Sequence, residues 1–138
     1  MIASVDHPLR KKRRLSLRDL AHETWVMQPL PSPSRVLLEQ NFAQHDMARP
    51  AKVIECNSIH ASLQLLKQMP AVALLSEQVA RQDIASRQIA KLPVQVSGHL
   101  DDYGIVVKRG VALSPMAKEF VQVLRQVSPY CANPPRSR

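Results

Sequence analysis

Two short stretches of this sequence carry side chains that could bind a small anion. In the first, Ser32 and Ser34 offer hydroxyls within a proline-rich loop, and Arg35 adds a fork of N–H donors. A helix is predicted to begin here, and a helix N-terminus presents unpaired N–H groups and a partial positive charge. The stretch therefore predicts a carboxylate-binding corner. The alternative is that Ser34 merely caps its own helix.

The second stretch is Asn57 and Ser58, where a predicted strand ends and a predicted helix begins. Open α/β sheets bind ligands outside the carboxyl ends of their strands, so both side chains are candidate ligand contacts. A simple helix N-cap is the alternative at this position as well. Cys56 beside them could act as a thiol sensor, but a buried core cysteine is the interpretation that we favour.

Catalytic and metal-binding patterns find little support in the sequence. The five histidines show no HxH or HExxH spacing, which leaves a metal ion without a set of ligands. Asp101 and Asp102 are adjacent carboxylates, but the glycines on either side indicate a turn. Three glycines in all do not make a phosphate-binding loop, and no GxSxG motif occurs. We therefore expect no enzyme activity, no metal and no cofactor.

Composition indicates one globular domain. The chain has 138 residues, of which 45% are hydrophobic and 22% charged. It contains no stretch of 18 apolar residues, so no membrane span is expected. Its first residues run from apolar to basic, which is the reverse of a secretory signal peptide. Cys56 and Cys131 lie far apart without CxxC spacing, so we expect a reduced, cytoplasmic protein.

The formal net charge of +8 is concentrated in two places rather than spread over one face. Five consecutive cations occupy residues 10–14, and two more arginines stand near the end of the chain. Such a run can bind phosphate by releasing counterions, which makes a small nucleic-acid-binding or adaptor protein the alternative function. However, aromatic residues make up only 4% of the chain, and no helix-turn-helix or RNA-binding motif is present. A solvated loop is the interpretation that we favour.

Strands and helices are predicted to alternate along the chain. Hydrophobic patterning and breakers place a short helix at 16–22, a helix from Arg35 to about Asp46, another from Asn57–Ser58 to Pro70, and a short one after Ser76. Residues 84–89 are ambiguous, and 133–138 are expected to be disordered. Strands are predicted at residues 1–5, 24–27, 52–56, 71–75, 92–96 and 103–107, and a closing helix at 115–127. This order predicts an α/β fold with a mostly parallel sheet flanked by helices.

The same elements, with particular residues in them, resemble LysR-type transcriptional regulators. The match extends over roughly residues 1 to 125 and rests on the order and spacing of several short motifs. These are His7-Pro8-Leu9 before the basic run, Leu17-x-x-Leu20, Trp25-Val26, Arg35-Val36-x-Leu38-Glu39-x-x-Phe42, the strand and helix from Glu55 to Leu65, Ala73-Leu74-Leu75 with Val79-Ala80, and Ser114-Pro115-x-Ala117-x-x-Phe120.

The resemblance implies a type 2 periplasmic-binding-protein-like fold, in which two lobes hold a small effector in the cleft between them. It implies that residues 1–6 are a crossover strand and that 7–98 are the second lobe, a three-layer sandwich. Residues 99–127 would be the return crossover strand and closing helix, followed by a tail at 128–138. In this family the corner at Asn57 and Ser58 faces the cleft. The winged helix-turn-helix, the linker helix and most of the first lobe are absent from this sequence.

The leading hypothesis is therefore an effector-sensing fragment of a LysR-type regulator. Its partner would be a small molecule of the organic acid or sugar class, and DNA would be contacted only through the missing N-terminal domain. Because the crossover strands and closing helix are shaped to meet a missing lobe, we expect self-association, for instance by exchange of that helix. Half of a solute-binding transport protein shares the fold, but the absence of a signal peptide argues against it.

Overall fold

Short apolar segments form one five-stranded sheet in the computed structural model, which describes residues 1–100 and 104–128. The chain divides into two compact units, Met1–Asp101 and Asp102–Arg138, and all five strands belong to the first. The strands are β1 (Ile2–Ser4), β2 (Thr24–Met27), β3 (Lys52–Glu55), β4 (Ala71–Ala73) and β5 (Ile89–Lys91). The helices are α1 (Pro33–Gln44), α2 (Ile59–Gln68), α3 (Glu77–Ala85) and α4 (Pro115–Val127), with 3₁₀ turns at Pro8–Lys11 and Leu17–Leu20.

The strand order across the sheet is β3-β2-β4-β1-β5. β2 pairs in parallel with both β3 and β4, whereas β1 pairs antiparallel with β4 and β5. Four strands therefore run in one direction and β1 runs in the other. Most strands thus share one direction, although only two of the four pairings are parallel, and the prediction of an α/β fold with a sheet flanked by helices is confirmed.

Side chains of the central strands are buried on both faces of the sheet, which is why these strands read as continuous apolar runs. In β2, Trp25 and Met27 join one core cluster and Val26 joins the other. The first cluster includes Leu38 and Phe42 of α1, while the second includes residues of α2 and α3. The sheet thus forms the middle of three layers, as predicted.

Trp25 anchors the α1 side of the core. Its side chain is fully buried, and its ring meets Phe42 edge-on with centroids 5.4 Å apart. The indole Nε1–H donates to the Leu20 carbonyl at 2.9 Å, so the one polar atom of the ring is satisfied. This contact ties the 3₁₀ turn before β2 to the strand itself.

Both α1 and α3 end in a Schellman motif without glycine. After α3, Arg87 has φ 56°, its N–H bonds to the Ile84 carbonyl, and the Gln88 N–H bonds to the Asp83 carbonyl. After α1, Asp46 has φ 49° in the equivalent position, with the equivalent pair of hydrogen bonds. The motif after α3 explains the residues 84–89 that were ambiguous in the sequence. They contain the end of α3, the left-handed Arg87 and the start of β5.

The predicted strand at 92–96 is wrong. The ladder with β1 ends at Lys91, and Pro93 has no N–H with which to extend it. The Val94 N–H instead bonds to the Leu92 carbonyl at 2.8 Å, which is a three-residue turn centred on the proline. Leu92 and Val94 are both buried, so their alternating pattern reflects packing of a loop rather than a strand.

The predicted strand at 103–107 is also wrong over the residues that the structure describes. Residues 104–107 form no ladder, and Tyr103 lies outside the described residues. The predicted turn at Asp101–Asp102 and the predicted disorder of 133–138 lie outside them too. In the second unit the predicted closing helix is confirmed as α4, which is capped by Ser114 and has Pro115 at its first position.

Candidate functional site

The carboxyl ends of three parallel strands meet at one edge of the sheet. β2, β3 and β4 are each followed by a helix, so α1, α2 and α3 begin at this edge. Each of these helices has a serine N-cap whose hydroxyl accepts a backbone N–H of the first turn: Ser32, Ser58 and Ser76. The sequence predicted the first two as site residues and Ser76 only as a cap.

At the start of α1 the cap falls on Ser32, whereas the sequence offered Ser34 as the alternative cap. The helix begins at Pro33, two residues before the predicted start, and its N-cap is Ser32 rather than Ser34. The Ser32 Oγ accepts from the Arg35 N–H at 3.4 Å. The Ser34 hydroxyl donates to Gln28 Oε1 at 2.7 Å and so ties the first turn of the helix to the end of β2.

Arg35 is buried, with 8% of its surface exposed. Its Nε donates to Glu39 Oε1 at 2.7 Å, and Glu39 also receives the Nε of Arg49 at 2.8 Å. Its Nη1 lies 3.6 Å from Glu55 Oε1 and, among the residues that the structure describes, has no hydrogen-bond partner. The guanidinium is therefore held firmly on one side and incompletely satisfied on the side that faces the end of β3.

At the start of α2, Asn57 and Ser58 are both exposed. The Ser58 Oγ accepts from the Ala61 N–H at 3.2 Å, which is the N-cap that the sequence predicted. Cys56 is only partly buried, against the predicted full burial, because it follows the last residue of the edge strand β3. Its thiol donates to the Ser58 carbonyl at 3.4 Å.

The sheet register brings the two corners to neighbouring strand ends. Met27 pairs with Glu55, and the Cys56 N–H donates to the Met27 carbonyl at 2.9 Å. Arg35, which belongs to the first corner, reaches Glu55 immediately before the second. Sequence reasoning missed Glu39, whose spacing of four from Arg35 was an available signal. It also missed Gln28 and Glu55, whose roles depend on register.

No group of three histidine, cysteine or acidic side chains within residues 1–100 and 104–128 is arranged to hold a metal ion. Over the same residues, none of the helices combines the length and apolarity needed to cross a membrane. The chemistry at this sheet edge is that of hydroxyl, amide and guanidinium donors beside carboxylates.

Comparison with protein families matches residues 1–129 to the LysR substrate binding domain. Among curated relatives, the HTH-type transcriptional regulator CbbR of Rhodospirillum rubrum is 28% identical over 131 residues, which are 95% of this chain and 43% of that protein. The HTH-type transcriptional regulator GbpR of Azospirillum brasilense is 31% identical over 123 residues, 88% of this chain and 36% of that protein. The chain thus spans less than half the length of these relatives.

Two solved structures share the fold. The CcmR regulatory domain of Synechocystis PCC6803, in complex with 2-PG, superposes with a TM-score of 0.69 at 22% identity, covering 91% of this chain and 60% of that one. The effector binding domain of QuiR, in complex with shikimate, superposes with a TM-score of 0.57 at 18% identity, covering 88% and 56%. These likenesses confirm the predicted periplasmic-binding-protein-like fold class.

Proposed function

Because this chain belongs to the LysR substrate-binding domain family, we propose that it senses a small effector of the organic acid or sugar class where α1 and α2 begin. Within that class we favour a carboxylate. The observation that carries this choice is the buried guanidinium of Arg35, whose Nη1 has no hydrogen-bond partner within residues 1–100 and 104–128. A cationic donor in the first turn of α1 that lacks a hydrogen-bond partner within the described residues favours an anion over a neutral ligand.

The capping serines support the same site. An N-cap hydroxyl accepts the helix N–H through its oxygen lone pairs, so the O–H of Ser32 and of Ser58 stays available as a donor. The exposed amide of Asn57 adds a donor and an acceptor at the second corner. Capping and ligand binding are therefore compatible, and the N-cap alternative considered for these positions does not compete with the proposal.

Glu55 supplies the exchangeable partner in this proposal. Its carboxylate is 59% exposed and sits 3.6 Å from Arg35 Nη1, which is beyond hydrogen-bonding distance. Glu39, by contrast, is only 18% exposed and is bonded to Arg35 at 2.7 Å. An effector carboxylate would take the place of Glu55 at Nη1 while Glu39 keeps the guanidinium in position. The structural relative that holds shikimate, the anion of an organic acid, supports this ligand class.

In the whole regulator, effector binding would shift a pre-existing equilibrium between two arrangements of the lobes. This shift would change the spacing between the two DNA-binding domains. DNA would be read by a domain outside this sequence, as the helix-turn-helix in the relatives' names suggests. The family consists of regulators rather than enzymes. We propose that this chain has no catalytic role. We also propose that the regulator acts in the cytoplasm, where DNA is its partner.

Calorimetric titration with a panel of carboxylates, shikimate included, and of neutral sugars tests the proposal. We expect at least one carboxylate to bind. Loss of one charge-assisted hydrogen bond in Arg35→Lys should weaken that binding about tenfold or more. Asn57→Ala should weaken it without loss of stability, because that side chain is exposed. Gln64→Ala, at an exposed position of α2, is the matched control. No binding by any compound of the panel would contradict the proposal. Equal binding by the unmodified protein and the three variants would contradict it too.

A further inference from the structure

The five cations of residues 10–14, here called the basic strip, lie on an ordered surface loop rather than in a helix or a strand. The first two belong to the 3₁₀ turn Pro8–Lys11, and the rest follow in irregular backbone. All five side chains are exposed. The strip therefore presents five consecutive exposed cations on the first unit.

The loop is fixed at both ends by apolar anchors. Leu9 packs against the core cluster on the α1 side, and Leu15 and Leu17 are buried in it. The turn before the strip is closed by His7, whose Nδ1 accepts from the Leu9 N–H at 3.3 Å. The Arg10 Nη1 donates to the Val5 carbonyl at 3.0 Å. The backbone of the strip is thus ordered before any partner arrives, which lowers the entropic cost of binding.

Four of the five cations form no ion pair within the part of the chain that the structure describes. Lys12 lies 3.4 Å from Asp19, and Arg10 is engaged by backbone. Lys11, Arg13 and Arg14 form no ion pair with any of the residues that the structure describes. A structural role in pairing charges within the fold therefore accounts for only part of the strip.

We propose that the basic strip is a sequence-independent contact for the phosphate backbone of double-stranded DNA. The choice of DNA among possible polyanions rests on the regulator role proposed above. The positive charge of the strip is observed independently of that role. Single-stranded nucleic acid is disfavoured because the strip has no aromatic side chain on which bases could stack. A membrane surface is disfavoured because the flanking leucines point into the core, which leaves no apolar group to insert.

A loop of this kind does not read base edges. Direct readout of the major groove uses a helix or a two-stranded ribbon, and residues 12–16 are neither. Cations on an irregular loop serve instead to position a protein along the duplex. The strip would act together with the reading domain and add affinity without adding sequence preference.

Fluorescence anisotropy of a labelled duplex of arbitrary sequence, measured from ~50 to ~200 mM salt, tests the inference. We expect binding whose logarithm falls linearly with the logarithm of salt concentration. Changing Lys11, Arg13 and Arg14 together to glutamine should make that slope shallower by about 2.7, since each phosphate contact contributes about 0.9. These side chains are exposed, so the variant should keep its fold, which circular dichroism would verify.

The matched control is Lys52→Gln with Arg81→Gln and Lys118→Gln, which removes the same charge from exposed positions elsewhere. An equal loss of slope in both variants, no binding by the unmodified protein, or a preference for single strands or anionic vesicles over the duplex would overturn the inference. Failure of the effector panel with duplex binding intact would count against the proposed function alone. The reverse outcome would count against the strip alone.

Discussion

Asn41 joins two parts of the first unit that lie far apart in the sequence. Its side chain is fully buried; the amide group donates to the carbonyls of Leu37 and Ser97, and the amide oxygen accepts from the Ser97 N–H at 2.7 Å. These bonds fix the irregular segment after β5 onto α1. The adjacent Gly98 has φ 95°, a left-handed conformation that residues with a side chain rarely adopt.

Replacing Asn41 with alanine should lower the free energy of unfolding by about 1–3 kcal/mol, because the Ser97 backbone groups lose their partners. Urea denaturation of the first unit measures this change. Gln40→Ala, one residue earlier on the exposed face of α1, should change stability by less than about 0.5 kcal/mol. Equal stability of both variants would show that water replaces the lost bonds fully.

Asp19 gives the fold a dependence on acid pH. The backbone N–H and the hydroxyl of Ser16 both donate to its carboxylate, at 2.8 and 2.7 Å, and lower the pKa of Asp19 below the ordinary value of 3.8. A carboxyl whose pKa is lower in the folded state than in the unfolded state stabilises the fold at pH values above its unfolded-state pKa. That stabilisation is lost as the pH falls through the folded value.

Asp19→Asn should therefore be less stable than the unmodified protein at neutral pH, and the difference should shrink as the pH falls below 3.8. Thermal unfolding at a series of pH values measures both curves. Ser16→Ala, which removes the hydroxyl bond but keeps the backbone bond, should lie between them. A difference that stays constant with pH would exclude the carboxylate as its source.

At the scale of single residues, several features of the candidate site were predictable from residue types and their neighbours in the chain. The serine caps and the first turn of α2 follow from local rules that a sequence displays. The partners of Arg35 do not, because Glu55 reaches it only through the pairing of β2 with β3. Whether Ser32 or Ser34 caps α1 depended on a two-residue choice of helix start that three nearby prolines left ambiguous.

Helix ends show how far local rules extend at the scale of elements. Glycine is the usual signal for a left-handed residue after a helix, and the chain has only three glycines in all. Arg87 and Asp46 take that position instead. The end of α3 was therefore not predictable from a glycine, and residues 84–89 looked ambiguous. The wrong strand at 92–96 has another cause. Alternating apolar residues occur in a packed loop as well as in a strand.

Arg87→Gly should raise the free energy of unfolding by up to about 1 kcal/mol, because a left-handed conformation costs arginine about 1–2 kcal/mol and glycine very little. Glycine's greater freedom in the unfolded chain offsets part of that gain. Gln82→Gly, at an exposed position inside α3, should instead lower it by about 1 kcal/mol. Chemical denaturation of the two variants compares the introduction of glycine at a left-handed position and inside a helix. Destabilisation by both would mean that the arginine side chain itself holds the helix end.

At the scale of the whole molecule, α4 carries an apolar face. Met116, Phe120, Val123 and Val127 are exposed, and they are spaced by four, three and four residues, as in the seam of a coiled coil. The spacing of this face was readable from the sequence, and the structure confirms both the helix and its amphipathic character.

We expect the chain to self-associate through this face at high concentration, because apolar surfaces of this kind rarely remain in water. Multi-angle light scattering across a concentration series measures the effect. Phe120→Gln should reduce association, and Gln122→Ala on the polar side should not. A monomer at every concentration would contradict the expectation.

The position of β1 governs the order in which the molecule can fold as it is synthesised. The first strand of this sequence is the bridge between β4 and β5, and β5 pairs with no other strand in the part of the chain that the structure describes. The half-sheet of β2, β3 and β4 can assemble once residue 73 has left the ribosome. Ile2 and Ala3 must wait, unpaired, for partners that emerge much later. Contacts so distant in the chain form slowly, and the apolar residues of β1 stay exposed in the interval.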